Sequence, residues 1–121
     1  MFEQEGYDLI GAALEVYNVV GHGFLEEVYQ ECMERELALR NIPFVSQPKL
    51  SLTYKGTELT KFYRPDLYVN DGIVVELKAL STLTDNESAQ LFNYLRGARK
   101  HVGYLINFSH PNKLDWKRFI I

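Results

Sequence analysis

One run of sequence, Arg64 to Lys78, decides most of what this chain can fold into, because apolar residues alternate with others on both sides of Asn70-Asp71-Gly72. A three-residue loop there, with Gly72 left-handed, makes a hairpin in which Val69 faces Ile73. Asp66 then falls opposite Glu76, Arg64 opposite Lys78 and Tyr68 opposite Val74, all on one face, since strand side chains alternate with period two. Tyr63, Leu67, Val69, Ile73, Val75 and Leu77 take the other face, which is apolar and belongs against a helix. A slip of one residue would mix the two sets, so the pattern specifies its own register.

The charged face needs an explanation of its own. Two carboxylates directly across a hairpin have Cβ atoms about 5 Å apart and repel by roughly 3 kcal/mol at an effective dielectric near 20. Two arrangements offset this. A hard divalent cation such as Mg²⁺ or Mn²⁺ bound by Asp66 and Glu76 turns the repulsion into ligation, with Lys78 aimed at the same site. Alternatively Asp66 pairs diagonally with Lys78, and Glu76 with Arg64, in a purely structural network. Pro65 has no backbone donor and suits a bulge or an unpaired segment, so the strands are expected to splay beside Asp66 and leave space there.

Elsewhere the periodicity is helical or strand-like in turn. Ile10, Ala13, Leu14 and Tyr17 predict a first helix from Glu3 to Val20, stopped by Gly21-His22-Gly23; Leu25, Val28, Tyr29 and Cys32 predict a second from Phe24 to about Leu39, closed by Asn41 and Pro43. Leu50, Leu52 and Tyr54 alternate in a strand from Lys49, and a two-residue turn at Lys55-Gly56 leads into a strand from Thr57 to Val69, pairing Tyr54 with Thr57 and Lys49 with Phe62. With Ile73 to Ala79 this gives a three-stranded meander. Thr84 and Glu87 have the spacing of a capping box, and Ala89, Leu91, Phe92, Leu95 and Ala98 form the apolar stripe of a third helix. Val102 to Phe108 is expected to return parallel to Ile73 to Leu77, and the tail from Trp116 to Ile121 to pack as a last short element. The fold class is α/β (α+β), a mixed four-stranded sheet flanked by helices in the order α-α-β-β-β-α-β.

Composition excludes several classes. A chain of 121 residues with 46% apolar and 24% charged residues suits one globular domain, here residues 1–121. The longest apolar stretch, Leu9 to Leu14, is six residues, against about 20 for a bilayer span. Glu3, Glu5 and Asp8 stand where a secretory signal needs basic residues, so a cytoplasmic location is expected. Cys32 is the single cysteine, which excludes an internal disulfide and a cysteine-cluster zinc site; it sits on an apolar helical stripe as a structural thiol. His22, His101 and His110 are scattered without metal-ligand spacing. Charge is uneven: residues 1–42 hold nine carboxylates against Arg35 and Arg40, net −7, while residues 43–121 hold seven against 11 Lys and Arg, net +4. A basic half can meet a polyanion even in an acidic protein, although a sheet edged by lysines has the same composition.

Pro65-Asp66, nine intervening residues and then Glu76-Leu77-Lys78 resemble the PD-(D/E)xK signature of restriction-endonuclease-like nucleases, with its two parts on adjacent strands. Gly23, Glu26 and Tyr29 match the motif of the GxxExxY family, which is similar to that superfamily in fold, and the likeness extends through Tyr54-Lys55-Gly56, Arg64, Gln90 to Leu95 and Ile106-Asn107-Phe108. The resemblance implies a restriction-endonuclease-like core and a divalent-metal-dependent phosphodiesterase acting on nucleic acid, DNA ahead of RNA. Asp66, Glu76 and Glu26 are implied as ligands of Mg²⁺ or Mn²⁺, Lys78 as the residue that orients or activates water, Arg64 as a phosphate contact. Gln90 and Tyr94, four residues apart on the third helix, resemble the QxxxY element of RecB-like nucleases, with helix-to-sheet hydrogen bonding as their structural alternative. A domain of this size is expected to need a second copy or a partner protein for sequence-specific cleavage. The competing class is a non-catalytic nucleic-acid-binding or protein-interaction module on the same fold; a third reading is the bare charge network.

Overall fold

The computed structural model describes all residues, 1–121. Two helices come first, α1 (Glu3–Val20) and α2 (Glu26–Leu39). Leu9, Ile10, Ala12, Ala13 and Val16 line one stripe of α1, and Tyr29, Met33 and Leu37, spaced by four, line one of α2. Burial of such stripes, at about 1.5–3 kcal/mol for each large side chain, holds the helices to each other and to the sheet. Cys32 is partly buried against the same core. The second helix starts two residues later than its periodicity suggested. Leu25 is the extended N-cap, and Phe24 and Leu25 are exposed.

Seven strands follow: β1 (Phe44–Ser46), β2 (Leu50–Tyr54), β3 (Thr57–Tyr63), β4 (Leu67–Val69), β5 (Ile73–Lys78), β6 (Val102–Asn107) and β7 (Asp115–Ile120), with α3 (Asp85–Gly97) crossing between β5 and β6. The main sheet has five strands, in the order β1-β4-β5-β6-β7, rather than four. Strands β5 and β6 are parallel, as the crossover requires, and the other neighbours are antiparallel. One face carries the larger core, in which Leu67, Val69, Ile73, Val75, Leu77, Val102 and Ile106 meet α1 and α2. The opposite face packs Val74 and Leu105 against Leu91 and Leu95 of α3. The capping box of α3 forms as read, the Thr84 side chain accepting from Asn86 N–H and Thr84 N–H donating to Glu87.

The meander does not form. The expected strand from Thr57 to Val69 breaks at Arg64-Pro65-Asp66, and β2 and β3 make a separate two-stranded sheet. Proline supplies no ladder donor, so the chain leaves the sheet there and β1 takes the free edge of β4. Within β2 and β3 the turn pairs Tyr54 with Thr57, but an irregularity beyond Thr53 shifts the register to Ser51 with Phe62 and Leu50 with Tyr63, so Lys49 does not face Phe62 as a ladder partner. The break also resets the alternation. Tyr63 packs with Val74, Leu91, Leu95 and Leu105 on the α3 side, not with Leu67, and Arg64 lies outside the ladder instead of facing Lys78.

The second hairpin has the expected register, Val69 with Ile73 and Tyr68 with Val74. Its turn is made differently: Asn70 and Asp71 take the left-handed conformation, φ 52° and 53°, and Gly72 does not. Gly72 is needed for space, since a Cβ there would run into the Phe2 ring. No helix is long and apolar enough to cross a membrane. His101 Nδ1 lies 3.3 Å from the Ile121 carbonyl oxygen and His110 Nδ1 accepts from Asn112 N–H, both in local packing roles.

Candidate active site

Where the ladder between β4 and β5 would continue, side chains replace it. Asp66 N–H donates to Glu76 Oε1 at 3.1 Å, and Leu77 N–H donates to Asp66 Oδ2 at 2.7 Å. The break at Pro65 frees these amides, and the two carboxylates satisfy them reciprocally. Asp66 and Glu76 therefore meet, and no well-formed hydrogen bond holds the second oxygen of either, although the Tyr63 hydroxyl lies against Glu76. The Asp66 carbonyl accepts from Gln30 Nε2 at 2.8 Å and from Gln47 N–H at 3.0 Å, so α2 and the end of β1 fix the strand from the other side.

A cleft of about 190 Å³ opens beside Asp66, lined by Glu26, Glu27, Gln30, Gln47, Asp66 and Leu77. Glu26 reaches it from the first residue of α2. Tyr29 sets that helix start: its hydroxyl donates to the Gly21 carbonyl at 2.6 Å and accepts from Phe24 N–H at 3.2 Å, and its ring stacks on Phe108 with centroids 4.7 Å apart. Gly21 and Gly23 have φ of 81° and 101°, which the intervening loop requires and side chains resist. Glu76 and Lys78 do not line the cleft, but the Lys78 charge acts on Glu26, Asp66 and Glu76 alike. Glu26, Asp66 and Glu76 do not close into a cluster of three carboxylates able to hold a metal.

The carboxylates are under electrostatic load. Burial raises the Asp66 pKa above the ordinary value, opposed by the Leu77 amide and Lys78. Glu76 is pushed up to about 7, first by burial and then by the Asp66 charge. Burial also raises Glu26, with Lys78 opposing and Asp66 reinforcing. No ion pair relieves them: the salt bridges of the chain join Met1 to Glu3, Arg35 to Glu31 and Arg40 to Glu36. The alternative network of Asp66 with Lys78 and Glu76 with Arg64 is therefore not formed. Arg64 turns instead to the Gln47 carbonyl, 2.8 Å from its Nη1.

On the α3 side Tyr94 stacks on Tyr63 with centroids 4.1 Å apart and planes 6° from parallel. The Tyr63 hydroxyl is buried beside Glu76 without a well-formed hydrogen bond, and its pKa is raised by burial and then by the Glu76 charge. Tyr94 thus joins the site through Tyr63, whereas Gln90 is exposed on the helix surface. Asn107 brackets the far end of β5, exchanging hydrogen bonds of 2.8 Å with both the amide and the carbonyl of Leu80. Gln30, Gln47 and Tyr63 were missed as site residues. Gln30 had a signal, being four residues after Glu26 on the same helix face; Gln47 and Tyr63 had none.

Two unengaged carboxylate oxygens, on half-buried acids with elevated proton affinity, are the hard donors that Mg²⁺ or Mn²⁺ takes. They supply two of the oxygen ligands such an ion needs. A family model described as the PD-(D/E)XK nuclease superfamily matches residues 3–119. Among solved structures, the crystal structure of SSO0001 is similar, at 18% identity and a TM-score of 0.60, over 98% of this chain and 59% of that one. The chain thus spans less than two thirds of that protein, and at this identity the likeness shows the fold. No curated protein matches the sequence significantly.

Proposed function

The chain belongs to the PD-(D/E)XK nuclease superfamily and has its restriction-endonuclease-like core, and we propose that it hydrolyses phosphodiester bonds of nucleic acid with the help of Mg²⁺ or Mn²⁺. One observation carries the reading. Asp66 and Glu76 sit half-buried together at the strand break, the Glu76 carboxylate accepting from Asp66 N–H and the Asp66 carboxylate from Leu77 N–H, and neither is paired with a cation. The hydrogen bonds need only neutral acceptors, and the two negative charges oppose the fold through desolvation and mutual repulsion.

Asp66 and Glu76 would hold the ion, and Glu26, which lines the same cleft as Asp66, would complete its surroundings. When bound, a divalent ion supplies neutralisation of the phosphoryl oxygens and acidification of water. Lys78, on the same strand, presents its ammonium group to the attacking water or the scissile phosphate and stabilises charge that grows during the reaction. Arg64 contacts a phosphate beyond the cleft. Tyr94 acts as a positioning residue through Tyr63, and Gln90 contacts substrate from the surface of α3. The finer resemblance to the GxxExxY family draws support from Gly23 and Tyr29, which set the loop that delivers Glu26. DNA is the first substrate to try, with a second copy or a partner chain supplying sequence preference, and the expected place of action is the cytoplasm.

A second reading, a non-catalytic nucleic-acid-binding module, draws on the lack of a cluster of three acids able to hold a metal. Incubation of the purified protein with DNA and RNA in Mn²⁺ and Mg²⁺, together with calorimetric titration of each ion, separates the two. Cleavage and ion binding, both lost in Asp66→Asn, support the nuclease. Intact substrates in every condition, with no ion binding that depends on Asp66, refute it.

A further inference from the structure

The β2–β3 hairpin has no hydrogen-bonded neighbour in the main sheet, and its two faces differ. Leu50, Leu52 and Tyr63 anchor one face on the α3 core. The other presents Phe62, 39% exposed, opposite the small Ser51, with Lys49 Nζ 4.8 Å and the Arg64 guanidinium carbon 5.2 Å from the ring centroid. Residues 49–64 carry four cations and one carboxylate, and neither Lys49 nor Arg64 is in an ion pair. This cluster abuts the candidate active site. Arg64 donates to the Gln47 carbonyl, and Gln47 both lines the cleft and donates to the Asp66 carbonyl.

We propose that Lys49, Phe62 and Arg64 form a clamp for a single nucleic-acid strand, in which Phe62 stacks on an unpaired base and the two cations take the flanking phosphates, leading the strand into the Asp66 cleft. The destination rests on the nuclease reading; the clamp itself rests on the hairpin. An exposed aromatic ring flanked by unpaired cations is the chemistry that single strands recognise, since only an unpaired base offers its π-face while its phosphates demand positive charge. Duplex bases offer no such face. The ammonium now over the Phe62 ring is a weakly held, solvent-exposed contact, and an arriving base displaces it onto the neighbouring phosphate.

The test is fluorescence anisotropy with labelled oligo-dT, oligo-rU and a matched duplex, all in chelator so that neither ion nor cleavage enters. The wild type is expected to bind single strands more tightly than duplex, with the dT and rU arms showing which sugar is preferred. Phe62→Ala is expected to weaken single-strand binding about tenfold or more, and Phe62→Trp to restore it. Lys49→Ala is expected to lower the slope of log affinity against log salt by about 0.7, one phosphate contact. Phe62 is exposed, and circular dichroism melts of each variant check that the fold is kept. Binding by Phe62→Ala within twofold of wild type, equal affinity for duplex, or no binding by the wild type overturns the clamp. The two readings fail separately. Cleavage lost in Asp66→Asn beside unchanged Phe62→Ala binding removes the clamp alone; Phe62-dependent binding in a protein that never cleaves or binds an ion removes the nuclease alone.

Discussion

Replacing Glu76 by Gln should make the metal-free protein more stable at alkaline pH. The Glu76 pKa rises from 4.5 to about 7 on folding, chiefly through burial and then through Asp66. A raised pKa in the folded state means the fold favours the protonated acid, so this contribution is intact below pH 4.5 and is lost as the pH climbs through 7. At 1.36 kcal/mol per pH unit the difference amounts to roughly 3 kcal/mol by pH 8. Glutamine mimics the neutral acid, and its carbonyl oxygen can still accept from Asp66 N–H. For a chain of this size that corresponds to a melting temperature roughly 10 °C higher at pH 8 in chelator, and to almost no difference near pH 4.5. Mn²⁺ at a thousand times its Kd should reverse the ranking, because binding then adds about 4.1 kcal/mol to the wild type and little to the variant. Thermal melts at both pH values, in chelator and in Mn²⁺, read all four corners. A Glu76→Gln protein that is less stable at pH 8 in chelator, or that gains as much from Mn²⁺ as the wild type, refutes the argument.

Three further outcomes are expected. Tyr29→Phe removes the hydroxyl that joins Gly21 to Phe24 and should destabilise the protein by about 1–2 kcal/mol in urea titrations, with a fall in cleavage rate because Glu26 loses its fixed helix start. Gly72→Ala should cost about 1–3 kcal/mol by driving a methyl into the Phe2 ring, and a double-mutant cycle should show most of that loss relieved in a Phe2→Ala background. Lys78→Met should lower the Mn²⁺-dependent cleavage rate by about a hundredfold or more while calorimetry at pH 8 still finds the ion bound.

The sequence carried the hairpin because two independent signals agreed: a short polar loop and an alternation that tolerated one register. That agreement is enough to bring Asp66 and Glu76 together, as the structure has them. It failed one step further out. Extrapolating the alternation through Pro65 put Tyr63 with Leu67 and Arg64 across from Lys78, whereas a residue outside the ladder no longer transmits the phase, and Tyr63 landed under α3. The turn itself shows the same limit. Glycine at position 72 reads as the left-handed residue, but the space against Phe2, distant in sequence, is what calls for it, leaving Asn70 and Asp71 to supply positive φ. Strand β1 is three residues long and has no period to detect. Gln47 reaches the site only because β1 lies beside β4, a long-range contact without a local trace.

The same backbone logic determines which substitution at Asp66 is informative. Its Oδ2 is the acceptor for Leu77 N–H, a bond that does the work of the missing ladder rung. Asp66→Ala strands that buried amide, at about 1–3 kcal/mol, while also removing the Asp66 charge that, after burial, raises Glu76. Asp66→Asn keeps an acceptor for Leu77 and removes the charge alone. In chelator at pH 8, Asn should therefore be at least as stable as the wild type, since a buried charge is gone and a hydrogen bond is not, and Ala should be less stable than Asn by that 1–3 kcal/mol. Both variants should lose Mn²⁺ binding. If urea denaturation instead finds Ala and Asn equally stable, the Leu77 amide does not depend on Asp66. The strand break would then be held by something other than the two carboxylates.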